Sequence, residues 1–144
     1  MATRAFPFGQ SAIYGGNFTP VSDTMTCYLV ATGTGGVDGY AYNTAHSALA
    51  NVNTGARASH GTANLANKLT SASGSANIFT CDTVAIAQAS ANADHSVFHA
   101  CVYVKSGTTE GNSFLYSYQD LTTPVTANGG GVNVSHTGLT FEWM

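Results

Sequence analysis

The sequence predicts an all-β domain, a β-sandwich or jelly-roll-like fold, on three observations. Short apolar runs rich in β-branched and aromatic residues are separated by Gly, Ser, Thr and Asn. Several of these runs alternate with period two, the signature of a half-buried strand. Two of them, Ser96–Lys105 and Ser113–Leu121, flank the polar stretch SGTTEGN and read as an antiparallel hairpin.

Taken in order, the first 22 residues are expected to form an extended N-terminal arm, which packs on its own sheet or reaches a neighbour. Phe6, Phe8, Tyr14 and Phe18 are interleaved there with Pro7, Gly9, Gly15 and Gly16, which disfavour a regular helix or strand. Residues 23–144 then form a single β-sandwich domain. Its first strand is Asp23–Ala31, where Met25, Cys27 and Leu29 alternate with Thr24, Thr26 and Tyr28. Ala41–Val52 is alanine-rich, which predicts one short helix at about 44–52. Asn64–Leu69 suits strand or helix equally. Asn77–Ile86 is a strand by its β-branched content, and the hairpin follows. A weaker strand falls between Gly129 and His136, and Leu139, Phe141 and Trp143 alternate with Thr140 and Glu142 at the end. The predicted core includes Leu29, Phe79, Val84, Phe98, Val102, Leu115 and Phe141. At 144 residues the chain is one domain, long enough to bury roughly 68–70% of its unfolded surface.

Composition narrows the function. Only 8% of residues are charged while 44% are apolar, against roughly 25% charged in an average soluble domain. Dispersed ions keep free monomers apart, and this chain has largely given them up. Its surface must consist of hydroxyls, amides, glycine and alanine, which desolvate at little cost. That suits a protein packed against its own copies or a partner. The four cations, Arg4, Arg57, Lys68 and Lys105, are scattered, so no nucleic-acid partner is expected. No apolar run approaches the ~18 residues of a membrane span, so no membrane partner is expected either. The first residues lack the apolar core of a signal peptide. The sequons at Asn17 and Asn133 carry no meaning without a secretory route.

Cys27, Cys81 and Cys101 are odd in number, widely spaced and set in apolar runs, which predicts buried reduced thiols. Gly33-Thr34-Gly35-Gly36-Val37-Asp38-Gly39 lacks the downstream strand and acid of a dinucleotide loop, so no cofactor is expected. His95 and His99 lie four apart in a strand, about 13 Å along it, too far for one ion with Zn–N bonds of about 2 Å. Strand parity puts His95, Val97, His99, Cys101 and Tyr103 on one face, read as exposed or subunit-facing. Phe98, Ala100, Val102 and Val104 take the other, read as core. No GxSxG turn or activated Cys–His pair is present, and Asp23, Asp38, Asp94 and Asp120 stand isolated. Asp82, inside an apolar strand, reads as a carboxylate bonding backbone N–H groups at a bulge or turn. Catalytic, cofactor and metal residues are therefore all expected to be none. The candidate assembly contacts are Phe6, Phe8, Tyr14, Phe18, His95, His99 and Tyr103.

The order of motifs carries a resemblance. Asp23-Thr24 through Leu29-Val30 is followed by Phe79-Thr80-Cys81-Asp82-Thr83-Val84, then Ala100 to Thr109, Phe114 to Leu121, and Gly138 to Trp143. This resembles small tailed-bacteriophage virion proteins of the capsid decoration or cement type, departing from them at Ala85, where an aromatic is expected. The resemblance implies a capsid-surface location after assembly in the host cytoplasm. It also implies a major capsid protein as partner, self-association as a dimer or trimer, and no catalytic residues. The alternative is a tail or fibre component with a receptor- or carbohydrate-binding β-domain. A small hydrolase and a host lectin-like module stand behind both.

Overall fold

The computed structural model describes residues 3–32, 39–73, 76–92, 94–135 and 139–142, with backbone alone at 3, 72, 73, 76, 77 and 139–142. It is an all-β structure with one helix. The strands are β1 (Thr3–Ala5), β2 (Met25–Val30), β3 (Arg57–Asn64), β4 (Leu69–Ser73), β5 (Ala76–Thr80) and β6 (Val84–Ile86). They continue with β7 (Val97–Lys105), β8 (Phe114–Thr126), β9 (Val132–Val134) and β10 (Leu139–Glu142). Helix α1 spans Pro7–Tyr14.

The main sheet runs β1-β8-β7-β2-β3, all antiparallel. A three-stranded sheet, β10-β5-β4, and a two-stranded one, β6-β9, complete the set. The expected hairpin is present as β7–β8, joined through a 3-10 turn at Glu110–Asn112. The run predicted as one strand over Asn77–Ile86 is two. The chain leaves β5 at Thr80 and enters β6 at Val84, in a different sheet. Asp82 lies exposed in that gap. Its carboxylate accepts a 2.6 Å hydrogen bond from Asn67 Nδ2, and its own N–H donates to Ala66 O.

Both faces of the main sheet are buried. One carries Met25, Cys27, Leu29, Phe98, Cys101, Tyr103 and Tyr116 against Phe79 of β5, Val84 and Ile86 of β6, and Val134 of β9. This is sheet-on-sheet packing. The other carries Val30, Ala100, Val102, Val104, Leu115 and Tyr118, covered by Phe6, Tyr40, Leu49, Val52 and Ala56. Leu29, Phe79, Val84, Phe98, Val102 and Leu115 are buried as predicted; the side chain of Phe141 lies outside the described residues.

The parity reading needs correction at two points. Cys101 and Tyr103 face the sandwich interior with no exposure, not solvent or a neighbouring subunit. Phe98 shares their face and not that of Ala100, Val102 and Val104. The register between β7 and β8 shifts between Phe98 and Ala100, where Leu121–Pro124 bulge out. One irregular step reverses every inside–outside assignment beyond it. Pro124, which can donate no ladder bond, sits in that bulge.

The predicted helix at about 44–52 is an irregular cover, with only a 3-10 turn at Leu49–Asn51. Its asparagines divert the backbone. Asn51 Oδ1 accepts from the N–H groups of Ser47 and Ala48, and Asn43 Oδ1 accepts from Ala45 N–H. Such local side-chain bonds compete with helical ones. Arg57, at the start of β3, fastens the cover. Its guanidinium donates to Val52 O at 2.6 Å and Leu49 O at 2.9 Å and pairs with Glu110 at 2.6 Å. Gly33–Asp38, most of the glycine stretch tested above, lies outside the described residues.

Candidate interaction surface

The first 22 residues pack on their own sheet, and as a short strand and a helix rather than an extended arm. Thr3–Ala5 pairs antiparallel with Ser117–Gln119 as an edge strand, and α1 lies on β8. The residues expected to prevent regular structure are the ones that fit the helix in place. Pro7 occupies the first turn, where its missing N–H costs nothing and its fixed φ suits a helix. A Cβ at Gly9 would stand 2.4 Å from Leu115 O and 3.1 Å from Tyr116 Cα, so only glycine lets the helix approach β8 this closely. Gly16 ends the helix at φ +75°. Its N–H donates to Ile13 O while Asn17 N–H donates to Ala12 O, the paired bonds of a Schellman cap.

This docking sorts the seven predicted assembly residues. Phe6 and Phe18 are core. Phe6 packs on Tyr42 with ring centroids 5.0 Å apart, and Phe18 meets Tyr116 edge-on at 5.4 Å. Tyr103 is interior, its hydroxyl donating to Gln119 Oε1 at 3.3 Å. His95 and His99 are half-buried, and His99 Nδ1 is a buried atom without a hydrogen-bond partner. Phe8 and Tyr14 are exposed, at 43% and 48%, on different sides of α1, Phe8 on the flank beside β8.

Phe8 does not stand alone. It meets Phe114, the first residue of β8, edge-to-face at 5.3 Å. Lys105 Nζ lies 5.4 Å from the Phe114 ring centroid and 5.9 Å from that of Phe18. Lys105 also donates to Asn17 O at 2.8 Å and approaches Asp23 Oδ2 at 3.8 Å. The Asp23 carboxylate in turn accepts Thr19 N–H at 2.8 Å. The result is an aromatic ridge, exposed at Phe8 and half-buried at Phe114, whose rim cation is held by neighbouring groups. Sequence reasoning missed Phe114 and Lys105, since both reach the ridge through strand pairing and carry no local motif. Val21, 41% exposed, adds apolar surface on the loop after the helix.

The thiols point away from chemistry. Cys27 and Cys101 are buried, Cys81 is half-buried, and all three are free and border one interior cluster. A hydrogen bond with Cys101, followed by burial, raises the Cys27 thiol well above its ordinary value. Burial pushes Cys81 up to about 11. Among the described residues no group of three His, Cys, Asp or Glu side chains could hold a metal ion, and no helix is long and apolar enough to cross a membrane.

A cleft of about 190 Å³ opens where β8 bulges away from β7, lined by Gln119, Leu121, Thr122, Thr123, Val125, Asn133, Val134 and Ser135. Buried Gln119 lines it and donates from Nε2 to Ser135 O at 3.0 Å. Ligand pockets for drug-sized molecules span roughly 300–1,000 Å³, so this cleft admits one small ring at most.

No protein-family model, no curated protein and no solved structure matches the chain.

Proposed function

We propose that this protein is a non-enzymatic virion structural subunit of the capsid cement or decoration type. It binds major capsid protein and copies of itself on the head surface, with no nucleic-acid or membrane partner. The observation that carries this reading is the exposed aromatic surface of α1, the ridge of Phe8 and Phe114 together with Tyr14, on a helix seated on the main sheet through Gly9. A preordered aromatic face loses little conformational entropy on binding and desolvates cheaply, as the anchors of protein interfaces do. The low charge of the chain and its resemblance to decoration proteins support the same reading. Its polar groups are largely occupied in holding the fold. Asp82, Asp120 and Glu110 bond Asn67, Tyr118 and Arg57, and Lys105 is committed to Asn17. Stabilisation of the shell comes from burying roughly 800 Å² per partner, multiplied by avidity across a lattice.

The test is copy number in purified particles, read from band intensity against the major capsid protein. A cement subunit is present in hundreds of copies. Phe8→Ser combined with Tyr14→Ser should leave the domain folded and abolish rebinding to stripped capsids. Absence from particles, or undiminished rebinding of the double variant, refutes the reading. The cleft beside β9, where Gln119, Thr122 and Asn133 adjoin apolar Leu121, Val125 and Val134, favours the alternative, a tail or fibre component that takes a sugar ring. A few or tens of copies per particle, with saccharide binding lost in Asn133→Ala, would select it.

A further inference from the structure

The self-association in that reading needs a surface, and the sheet edges provide one. The main sheet ends on one side in β1, only three residues long. Its other edge, β3, is covered over its first three residues and leaves the extended course at His60, φ 55°. Ser59 forms a bridge with Ser90, and Asn92 Nδ2 donates to Gly55 O and Arg57 O. The three-stranded sheet ends in β4 (Leu69–Ser73), which pairs with β5 in unbroken register from Leu69↔Thr80 to Ser73↔Ala76. Among the described residues, only β5 is hydrogen-bonded to the β4 backbone. In an antiparallel ladder alternate residues direct N–H and C=O away from the partner strand. Among the described residues β4 therefore presents an open row of donors and acceptors.

Its side chains point the same way. Leu69, Thr70 and Ser71 are consecutive and all exposed, Leu69 at 63%, so neither face of this part of the strand is buried. β4 carries none of the devices that blunt an edge: no charge, no proline and no bulge. The flanking cation, Lys68, is turned inward to the Asp23 carbonyl.

We propose that β4 is a homotypic pairing edge, where two copies of this chain join antiparallel about a two-fold axis through Ser71. The joined sheet would run β10-β5-β4-β4-β5-β10 across the two subunits. In that register Ser71 faces its own copy, Thr70 faces Ala72 and Leu69 faces Ser73, so no like charges meet. The two Lys68 residues fall at opposite ends. A two-fold pairing uses up the edge on both chains and closes the assembly, whereas an edge left open would recruit further strands. The inference rests on the self-association part of the proposed function and concerns a different surface from the α1 ridge.

The experiment uses the full chain, by sedimentation equilibrium across a concentration series. The wild type should dimerise, and Ser71→Lys, which sets two cations opposite each other at the dyad, should weaken the dimer by at least about tenfold. Thr62→Lys, at an exposed position on β3, should leave it unchanged. In parallel, Ser71→Cys should give an intermolecular disulfide linking position 71 to position 71 under mild oxidation, faster than Thr62→Cys links its own positions. If Ser71→Lys fails to fold by circular dichroism, the cross-linking comparison decides. A monomer at every concentration overturns the proposal, as does cross-linking no faster at position 71 than at 62. A dimer indifferent to Ser71→Lys overturns the β4 edge while leaving self-association standing, and capsid rebinding reports separately on the α1 ridge.

Discussion

Gly9→Ala separates a docked helix from a free arm by the sign of its effect. On a detached segment the substitution would be favourable. Alanine is better than glycine in a helix by about 1 kcal/mol, and it removes freedom from the unfolded chain. In this structure the new methyl would stand 2.4 Å from Leu115 O, where ordinary contact begins at 3.4 Å, and the obstacle is backbone. The carbonyl belongs to β8, which is held by β1 and β7 on its two sides, so the helix must yield. Lifting α1 disturbs the Phe6 and Phe18 anchors at its two ends. Overpacking costs roughly 1–3 kcal/mol, and a 2.4 Å contact with fixed backbone belongs in its upper half, about 2–3 kcal/mol, which exceeds the propensity gain of about 1 kcal/mol. The expected net loss of about 1–2 kcal/mol would lower the melting temperature by roughly 3–8 °C for a domain of this size. Thermal unfolding followed by circular dichroism measures it directly. An unchanged or raised melting temperature would refute the docked helix and return the N-terminus to the status of an arm.

Arg57→Met should cost about 2–3 kcal/mol in denaturant unfolding, because Leu49 O and Val52 O lose a charged donor in a partly buried site. Glu110→Gln should cost under about 1 kcal/mol, since that end of the pair is half exposed. The hydrogen bond from Arg57 holds the Glu110 carboxylate below its ordinary value. Its contribution is therefore complete above the usual carboxylate range and is lost as pH falls through the lowered value. Acid titration of stability should be shallower in Glu110→Gln, and an identical curve would contradict the pairing. Native thiol labelling near neutral pH should modify Cys81 slowly, with Cys27 and Cys101 slower still; rapid labelling of all three would contradict the burial. Tyr116→Phe should raise stability by about 1 kcal/mol, because the Tyr116 hydroxyl is buried without a partner; a loss would show that the hydroxyl is satisfied.

The sequence by itself determined the all-β class, the β7–β8 hairpin, the burial of six core residues and the apolar setting of the thiols. These follow from period-two alternation and composition, which act over a few residues and need no knowledge of distant partners. Phe8 and Tyr14 were legible as aromatic, and their exposure was not, because an identical alternation of rings with glycines buries Phe6 and Phe18. Only the tertiary structure decided that. Pro7, Gly9 and Gly16 read locally as breakers, yet they start, seat and end α1 once β8 lies beneath it. The face of Phe98 likewise depended on a bulge set by how β8 pairs with β7, and the inward turn of Tyr103 on the two smaller sheets to which residues 76–86 contribute β5 and β6. The exposed edge of β4 is the plainest case. LTSAS has no apolar alternation to mark a strand, so its pairing is imposed by β5, and its open side exists because no later segment among the described residues closes it. Periodicity fixes which residues can be buried, whereas the order in which strands meet fixes which of them are.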